Sequence, residues 1–148
     1  MFGSVIGLAW FALLLATRNL WLFAVGTVLG ITLSIWLCDE AEKILKQTDP
    51  SSVVLDEICA VPLCFLATLG IMLHRNGTLP SPEFFFSREG WLQTFVVFVL
   101  FRFFDVVKPW PVRGSQKLRG GWGVTVDDML AAVYVNLCVL LLFVAQVL

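Results

Sequence analysis

Residues 91–131 read WLQTFVVFVLFRFFDVVKPWPVRGSQKLRGGWGVTVDDMLA, and this stretch decides the fold. An apolar run of about 17 residues, near the lower limit for a membrane-crossing helix, closes on Arg102, Asp105 and Lys108. Pro109, Pro111, Gly120, Gly121 and Gly123 then forbid one continuous helix. A second apolar run opens on Asp127 and Asp128. The same arrangement recurs upstream, where Asp56 and Glu57 stand at the head of the apolar run 53–73. Ionisable groups are costly at membrane depth, so carboxylates and cations grouped at the ends of such runs point to a functional site.

Working outward, five apolar segments are legible: 3–17, 20–38, 53–73, 91–107 and 126–148. A spanning helix needs about 20 residues; the second, third and fifth satisfy this easily, the fourth narrowly, and the first is short. Arg18 and Asn19 make a tight turn. Residues 39–52 are polar, start with the helix-compatible DEAEKILK, and break at Asp49-Pro50. Asn76-Gly77, Pro80 and Pro82 punctuate the connection 74–90, whose Phe84, Phe85 and Phe86 are expected to rest on the bilayer interface. Trp36, Trp91 and Trp110 suit interfacial anchoring.

Composition agrees with this threading. The 148-residue chain is 59% hydrophobic and 14% charged, with a mean hydropathy of +0.89, whereas soluble domains carry about 25% charged residues. The expected architecture is all-α: one integral membrane domain over 1–148, a bundle of about five transmembrane helices with short polar connections. Net charge is −1 and no basic face invites nucleic acid. Cys38, Cys59, Cys64 and Cys138 lie in apolar runs without a C-x-x-C pair, so buried hydrophobes are expected rather than zinc ligands or disulfides. No basic residue precedes the first apolar stretch, so a cleaved signal peptide is not expected.

If the first segment spans, one face collects Lys43, Lys46, Arg102, Lys108, Arg113, Lys117 and Arg119, seven of the ten Lys and Arg residues. The positive-inside rule makes that face cytoplasmic. Nine of the eleven acids lie there too, and acids do not set topology. Asp56 and Glu57 fall in the first turn of a helix, and Arg102 and Asp105, three apart, share a helix face. A donor set rich in oxygen and free of sulfur and histidine suits a hard divalent cation such as Mg²⁺. Arg102 or Arg113 offers a guanidinium fork to phosphate and Lys108 a point charge. Gly120 and Gly121 offer backbone N–H groups to an anion. Each acidic pair alone also reads as a helix cap favoured by the macrodipole, and Arg102 with Asp105 as an ion pair joining helices. Lys43, Lys46, Lys117 and Arg119 read as solvated or headgroup contacts, Asp39, Glu40 and Glu42 as decoration of a surface turn. His74, on the far face, has no partner in sequence.

The motifs DP-x5-DE (49–57), FRxxDxxKPWPxR (101–113) and GGxGxxxDDxxA (120–131) resemble those of the phosphatidylglycerophosphatase A family over most of the chain. The resemblance implies Mg²⁺-dependent removal of the terminal phosphate of phosphatidylglycerophosphate, leaving phosphatidylglycerol, at the cytoplasmic face of a bacterial inner membrane. Asp56, Glu57, Arg102, Asp105, Lys108, Asp127 and Asp128 match the family's charged motif positions. Gly3 and Ser4 match a pair that family members carry after a Pro-Gly-Thr loop, a segment not present upstream here. Ala60 replaces a family glycine, and Arg119 adds a cation before Gly120.

Our assignment of roles within that pattern gives Mg²⁺ to Glu57, Asp127 and Asp128. Arg102, Lys108 and Arg113 neutralise the phosphate, while Asp56 or Asp105 orients the attacking water. No cysteine has arginine six positions on, only one histidine exists, and no D-x-D occurs, so metal-assisted attack of water is preferred over a phosphoenzyme. Two other classes compete: a lipid phosphotransferase, against which the absence of spaced aspartates along one helix counts, and a cation- or proton-coupled carrier. The carrier would need charges at mid-membrane with access from both sides. Oligomeric state is open.

Overall fold

A computed structural model describes residues 2–46, 54–115, 118 and 121–146. Those residues form eight helices and no strand: α1 (Phe2–Ala16), α2 (Leu20–Leu45), α3 (Leu55–Cys64), α4 (Leu66–Asn76), α5 (Pro82–Phe86), α6 (Trp91–Val107), α7 (Val112–Ser115) and α8 (Gly121–Val144). Three helical stretches are long and apolar enough to cross a bilayer: Leu20–Leu45, Leu55–Asn76 and Gly121–Val144. The expectation of five spans is therefore met by three; α1, with 15 residues, and α6, with 17, fall short of that length.

Local chemistry sets the boundaries. Arg18 turns the chain with φ 50°, and Asn19 Oδ1 accepts hydrogen bonds from the backbone N–H groups of Trp21 (2.9 Å) and Leu22 (3.3 Å). Two otherwise unsatisfied donors of α2 are thereby capped. α2 then continues past Cys38 to Leu45, because Lys43 pairs with Asp39 at 2.7 Å and Glu40 at 2.8 Å along one helix face. Asp39, Glu40 and Glu42 thus belong to the last turns of a helix and not to a surface turn.

The segment read as one run, 53–73, is broken between α3 and α4. Pro62 lacks an N–H and its ring crowds the preceding turn. Asn136 of α8 reaches into the break. Its Oδ1 accepts from the Ala67 N–H at 2.6 Å, and its Nδ2 donates to Leu63 O at 2.8 Å and Ala132 O at 2.7 Å. The side-chain amide thus stands where the Ala67-to-Leu63 bond of an unbroken helix would be. The same contact ties the carboxylate-bearing helices α3 and α8 together at a fixed height.

Small residues allow the closest approaches, as is usual where helices meet in lipid. A Cβ on Gly7 would lie 2.5 Å from Val61 Cγ2, so α1 beds directly on α3. A Cβ on Gly121 would overlap the Ile35 carbonyl oxygen, which fixes the start of α8 against α2. Away from the charged residues, Phe11, Phe23, Phe65 and Phe85 form a buried aromatic core. Phe11 stacks on Phe65 with centroids 4.1 Å apart and meets Phe85 edge-on at 5.1 Å. Phe85 is 1% exposed, so of the three phenylalanines expected at the interface this one turns into the core. Thr94 Oγ1 donates to Phe85 O at 2.7 Å and secures that inward turn.

Candidate functional site

Arg102 is the hub of the charged end. Its Nη1 donates to Asp105 Oδ2 at 2.7 Å, one turn further along α6, to Glu57 Oε1 at 3.3 Å on α3, and to Ser4 Oγ at 3.4 Å on α1. Ser4 completes the junction: its backbone N–H and its hydroxyl both donate to Glu57 Oε2, at 3.0 and 2.9 Å. Three helices thus meet on one carboxylate. Gly3 makes room for it, since a Cβ there would come within 2.7 Å of Glu57 Oε2.

Lys108 forms the second junction. Its backbone ends α6 in the left-handed region, φ 44°, and swings the side chain toward α8, where Nζ donates to Asp127 Oδ2 at 2.6 Å. Burial disfavours the Lys108 charge, but the hydrogen bond to Asp127 and the fields of Asp127, Asp105 and Asp128 outweigh it, so its pKa is raised. The cation therefore stays in place throughout the neutral range.

Asp56 and Asp128 complete the cluster from below. Asp56 sits in the first turn of α3 and Asp128 in the second turn of α8, which begins at Gly121 and not at the acids themselves. Both are buried, at 7% and 3% exposure. Asp56 Oδ1 and Asp128 Oδ2 have no hydrogen-bond partner among the described residues. Asp56, Glu57, Asp105 and Asp127 all lie near enough to act on the Asp128 charge. A buried carboxylate oxygen without a donor is expensive unless a cation meets it.

Among the described residues no three His, Cys, Asp or Glu side chains are gathered as a finished metal cage. Of the three residues expected to hold Mg²⁺, Glu57 is engaged by Ser4 and Arg102, and Asp127 by Lys108. Asp128 presents a buried oxygen with no hydrogen-bond partner among the described residues, and Asp56 presents another. Two open carboxylate oxygens in an all-oxygen setting do fit Mg²⁺, which commonly takes one or two carboxylates and completes its shell with water and substrate phosphate.

The remaining expected residues are placed differently. Arg113 lies on α7, exposed, and lines an open cleft of about 510 Å³ with Lys108, Pro109, Trp110 and Gly114. Gly121 is buried against α2, so it serves helix packing rather than an open anion nest. Gly120, Asp49, Lys117 and Arg119 lie outside the described residues. A more enclosed cavity of about 210 Å³, bounded by Thr68, Arg75, Gln93 and Phe143, involves none of these groups. All four cysteines are free thiols, three of them buried. Sequence reading gave no site role to two residues that shape the site. Ser4 had a signal, the small Gly3-Ser4 pair ahead of an apolar run; Asn136, a single amide in the last segment, had none beyond its polarity.

The family model described as phosphatidylglycerophosphatase A matches residues 1–143. A phosphatidylglycerophosphatase A of Haemophilus influenzae is 32% identical over 133 residues, covering 89% of this chain and 71% of the relative. A Bacteroides thetaiotaomicron protein, provisionally named a phosphatidylinositol-3-phosphatase, is 36% identical over 134 residues, covering 90% of this chain and 74% of its own. The phosphatidylglycerophosphatase A of Escherichia coli is 29% identical over 113 residues, or 76% of this chain and 55% of that protein. No solved structure matches the chain.

Proposed function

Because the chain belongs to the phosphatidylglycerophosphatase A family, whose named members are phosphoric monoester hydrolases, we propose that it removes the terminal phosphate of phosphatidylglycerophosphate in an Mg²⁺-dependent reaction. The observation that carries the reading is the pair of unpartnered, buried oxygens of Asp56 and Asp128, set beside the Arg102 and Lys108 ion pairs. Asp56 and Asp128 would hold the Mg²⁺, with Asp127 alongside. A divalent ion there supplies Lewis-acid neutralisation of phosphoryl charge and a more acidic water.

The chain's own residues do the rest. Lys108 faces the phosphoryl oxygens as a fixed positive charge, with Asp127 setting the direction of its Nζ. Arg102 holds Glu57 and Asp105 in place, and Ser4 holds the far side of Glu57. Asp105, anchored through Oδ2, orients the attacking water with its other oxygen and accepts its proton. The water oxygen bonds to phosphorus, the bond from phosphorus to the glycerol oxygen breaks, and that oxygen takes a proton from solvent. Preorganised charge of this kind contributes about 10²–10³ per donor.

The topology that suits this chemistry has five spans, with α1 and α6 as short, tilted ones, and the charged end facing the cytoplasm of a bacterial inner membrane. The surplus of Lys and Arg on that side supports it. A carrier is disfavoured because the acids gather at one end of the bundle. The Bacteroides relative favours one second substrate, phosphatidylinositol 3-phosphate; like phosphatidylglycerophosphate, it carries one diester and one monoester phosphate. The test is phosphate release by the purified protein from each lipid in mixed micelles, with Mg²⁺ and with EDTA. Release from phosphatidylglycerophosphate that stops with EDTA is expected; release unchanged by EDTA would remove the metal from the scheme.

A further inference from the structure

The cations near the site differ in how their charge is used. Arg102 is held by Glu57 and Asp105, and Lys108 by Asp127. Arg113, by contrast, is exposed and makes no ion pair with a carboxylate among the described residues. It lines the open cleft of about 510 Å³ next to Lys108. An unpaired guanidinium presents two parallel donors suited to a phosphate. Lys108 belongs to both places: it lines the cleft, and its Nζ pairs with Asp127, so one residue separates the cleft from the carboxylate cluster. Trp110, 85% exposed, forms the outer wall, and Tyr134 Oη donates to its carbonyl at 2.7 Å, fastening that wall to α8. A tryptophan turned outward beside cations suits the headgroup level of a bilayer.

On the premise that the charged cluster hydrolyses a lipid phosphomonoester, we infer that the cleft between Lys108 and Arg113 is a second anion subsite, which takes the diester phosphate of a lipid bearing two phosphates. The diester lies against Arg113 with the acyl chains beside Trp110. The alcohol unit then bridges to the monoester, which meets Lys108 and the carboxylates. Arg113 is thereby a specificity determinant. It favours lipids with a second phosphate one alcohol unit away and contributes nothing to phosphatidic acid, whose single phosphate is the monoester itself.

The test uses Asp128→Asn protein in detergent, in which turnover is stopped, with and without Arg113→Gln. Native mass spectrometry reads retention of phosphatidylglycerophosphate and of phosphatidic acid. Arg113→Gln is expected to weaken retention of the two-phosphate lipid about tenfold, the loss of roughly one charge-assisted contact, and to leave phosphatidic acid unchanged. Arg113→Lys restores part of the difference. In otherwise unsubstituted protein, Arg113→Gln raises KM by about the same factor with kcat nearly constant. Equal weakening for both lipids, or none for either, overturns the subsite. Displacement of the bound lipid by inorganic phosphate at equal concentration does so too, by assigning the cleft to free anion. If retention depends on Arg113 while unsubstituted protein releases no phosphate, the subsite stands and the phosphatase reading falls.

Discussion

The two ends of the bundle are held together by opposite means. Around Phe11, Phe65 and Phe85, rings meet in stacked and edge-on pairs 4.1 to 5.5 Å apart, and each of these rings is at most 1% exposed. About 13 Å further along α3, nine residues at 1.5 Å each, the charged end gathers, among the described residues, five carboxylates against two cations and leaves two buried oxygens without a hydrogen-bond partner. The aromatic end has satisfied its groups by packing, and dispersion holds it. The charged end keeps an unmet demand for positive charge. Structures retain such local dissatisfaction where a ligand or reaction is to resolve it. Substitutions at the two ends should therefore separate activity from stability.

The largest effect is expected from Asp128→Asn. Phosphate release should fall about 10³-fold, while thermal unfolding in detergent stays level or improves, because a buried carboxyl oxygen without a donor has gone. Near-normal turnover would make Asp128 a structural residue and erase the contrast. Phe11→Ala should do the reverse. Emptying the centre of the ring cluster costs about 3–5 kcal/mol of stability, and the fraction that remains folded should keep kcat within about twofold. A kcat loss as large as that of Asp128→Asn would show that the ends are not separable.

The sequence revealed one of these ends far better than the other. Asp56-Glu57, Arg102 with Asp105, and Asp127-Asp128 stand out because charge within apolar runs is costly, and the structure brings all of them together. The helix face shared by Arg102 and Asp105 followed from spacing alone. The aromatic core was not legible, since in a chain 59% hydrophobic apolar periodicity does not tell a ring facing lipid from one facing the interior; Phe85 and its exposed neighbour Phe86 show this. The break at Phe65 was not read in the run 53–73, and its repair by Asn136 depends on a contact 69 residues away. DEAEKILK was legible as helix, and α2 runs on to Leu45; the start of the last helix at Gly121, ahead of the acids, was not legible. Ion pairs of Lys43 with Asp39 and Glu40 carry α2 on, and packing of Gly121 against Ile35 sets the start of α8.

Asn136 offers a smaller, sharper test, because it couples the two ends. Asn136→Leu should cost about 1–2 kcal/mol, in keeping with interhelical hydrogen bonds in membrane proteins. It should also lower turnover several-fold, since α3 and α8 lose the contact that fixes the relative height of Asp56 and Asp128. A stability loss with kcat unchanged would show that the register is set elsewhere, by Gly7 and Gly121 for instance.

The smallest effect concerns pH at Lys108, where the charged end meets solvent. The folded pKa of Lys108 is raised above its ordinary value, near 10.4 for a free lysine. The stabilisation it brings is therefore complete below about pH 10.4 and is lost only as pH climbs through the higher folded value. Lys108→Met should lower stability by about 1 kcal/mol, and the gap between the two proteins should stay constant from about pH 7 to 9 before closing at higher pH. Thermal unfolding of both proteins across that range reads the gap directly. A gap already closing between pH 7 and 8 would mean that Lys108 gives up its proton near neutrality, and that Asp127 does not hold it as a fixed charge for phosphate.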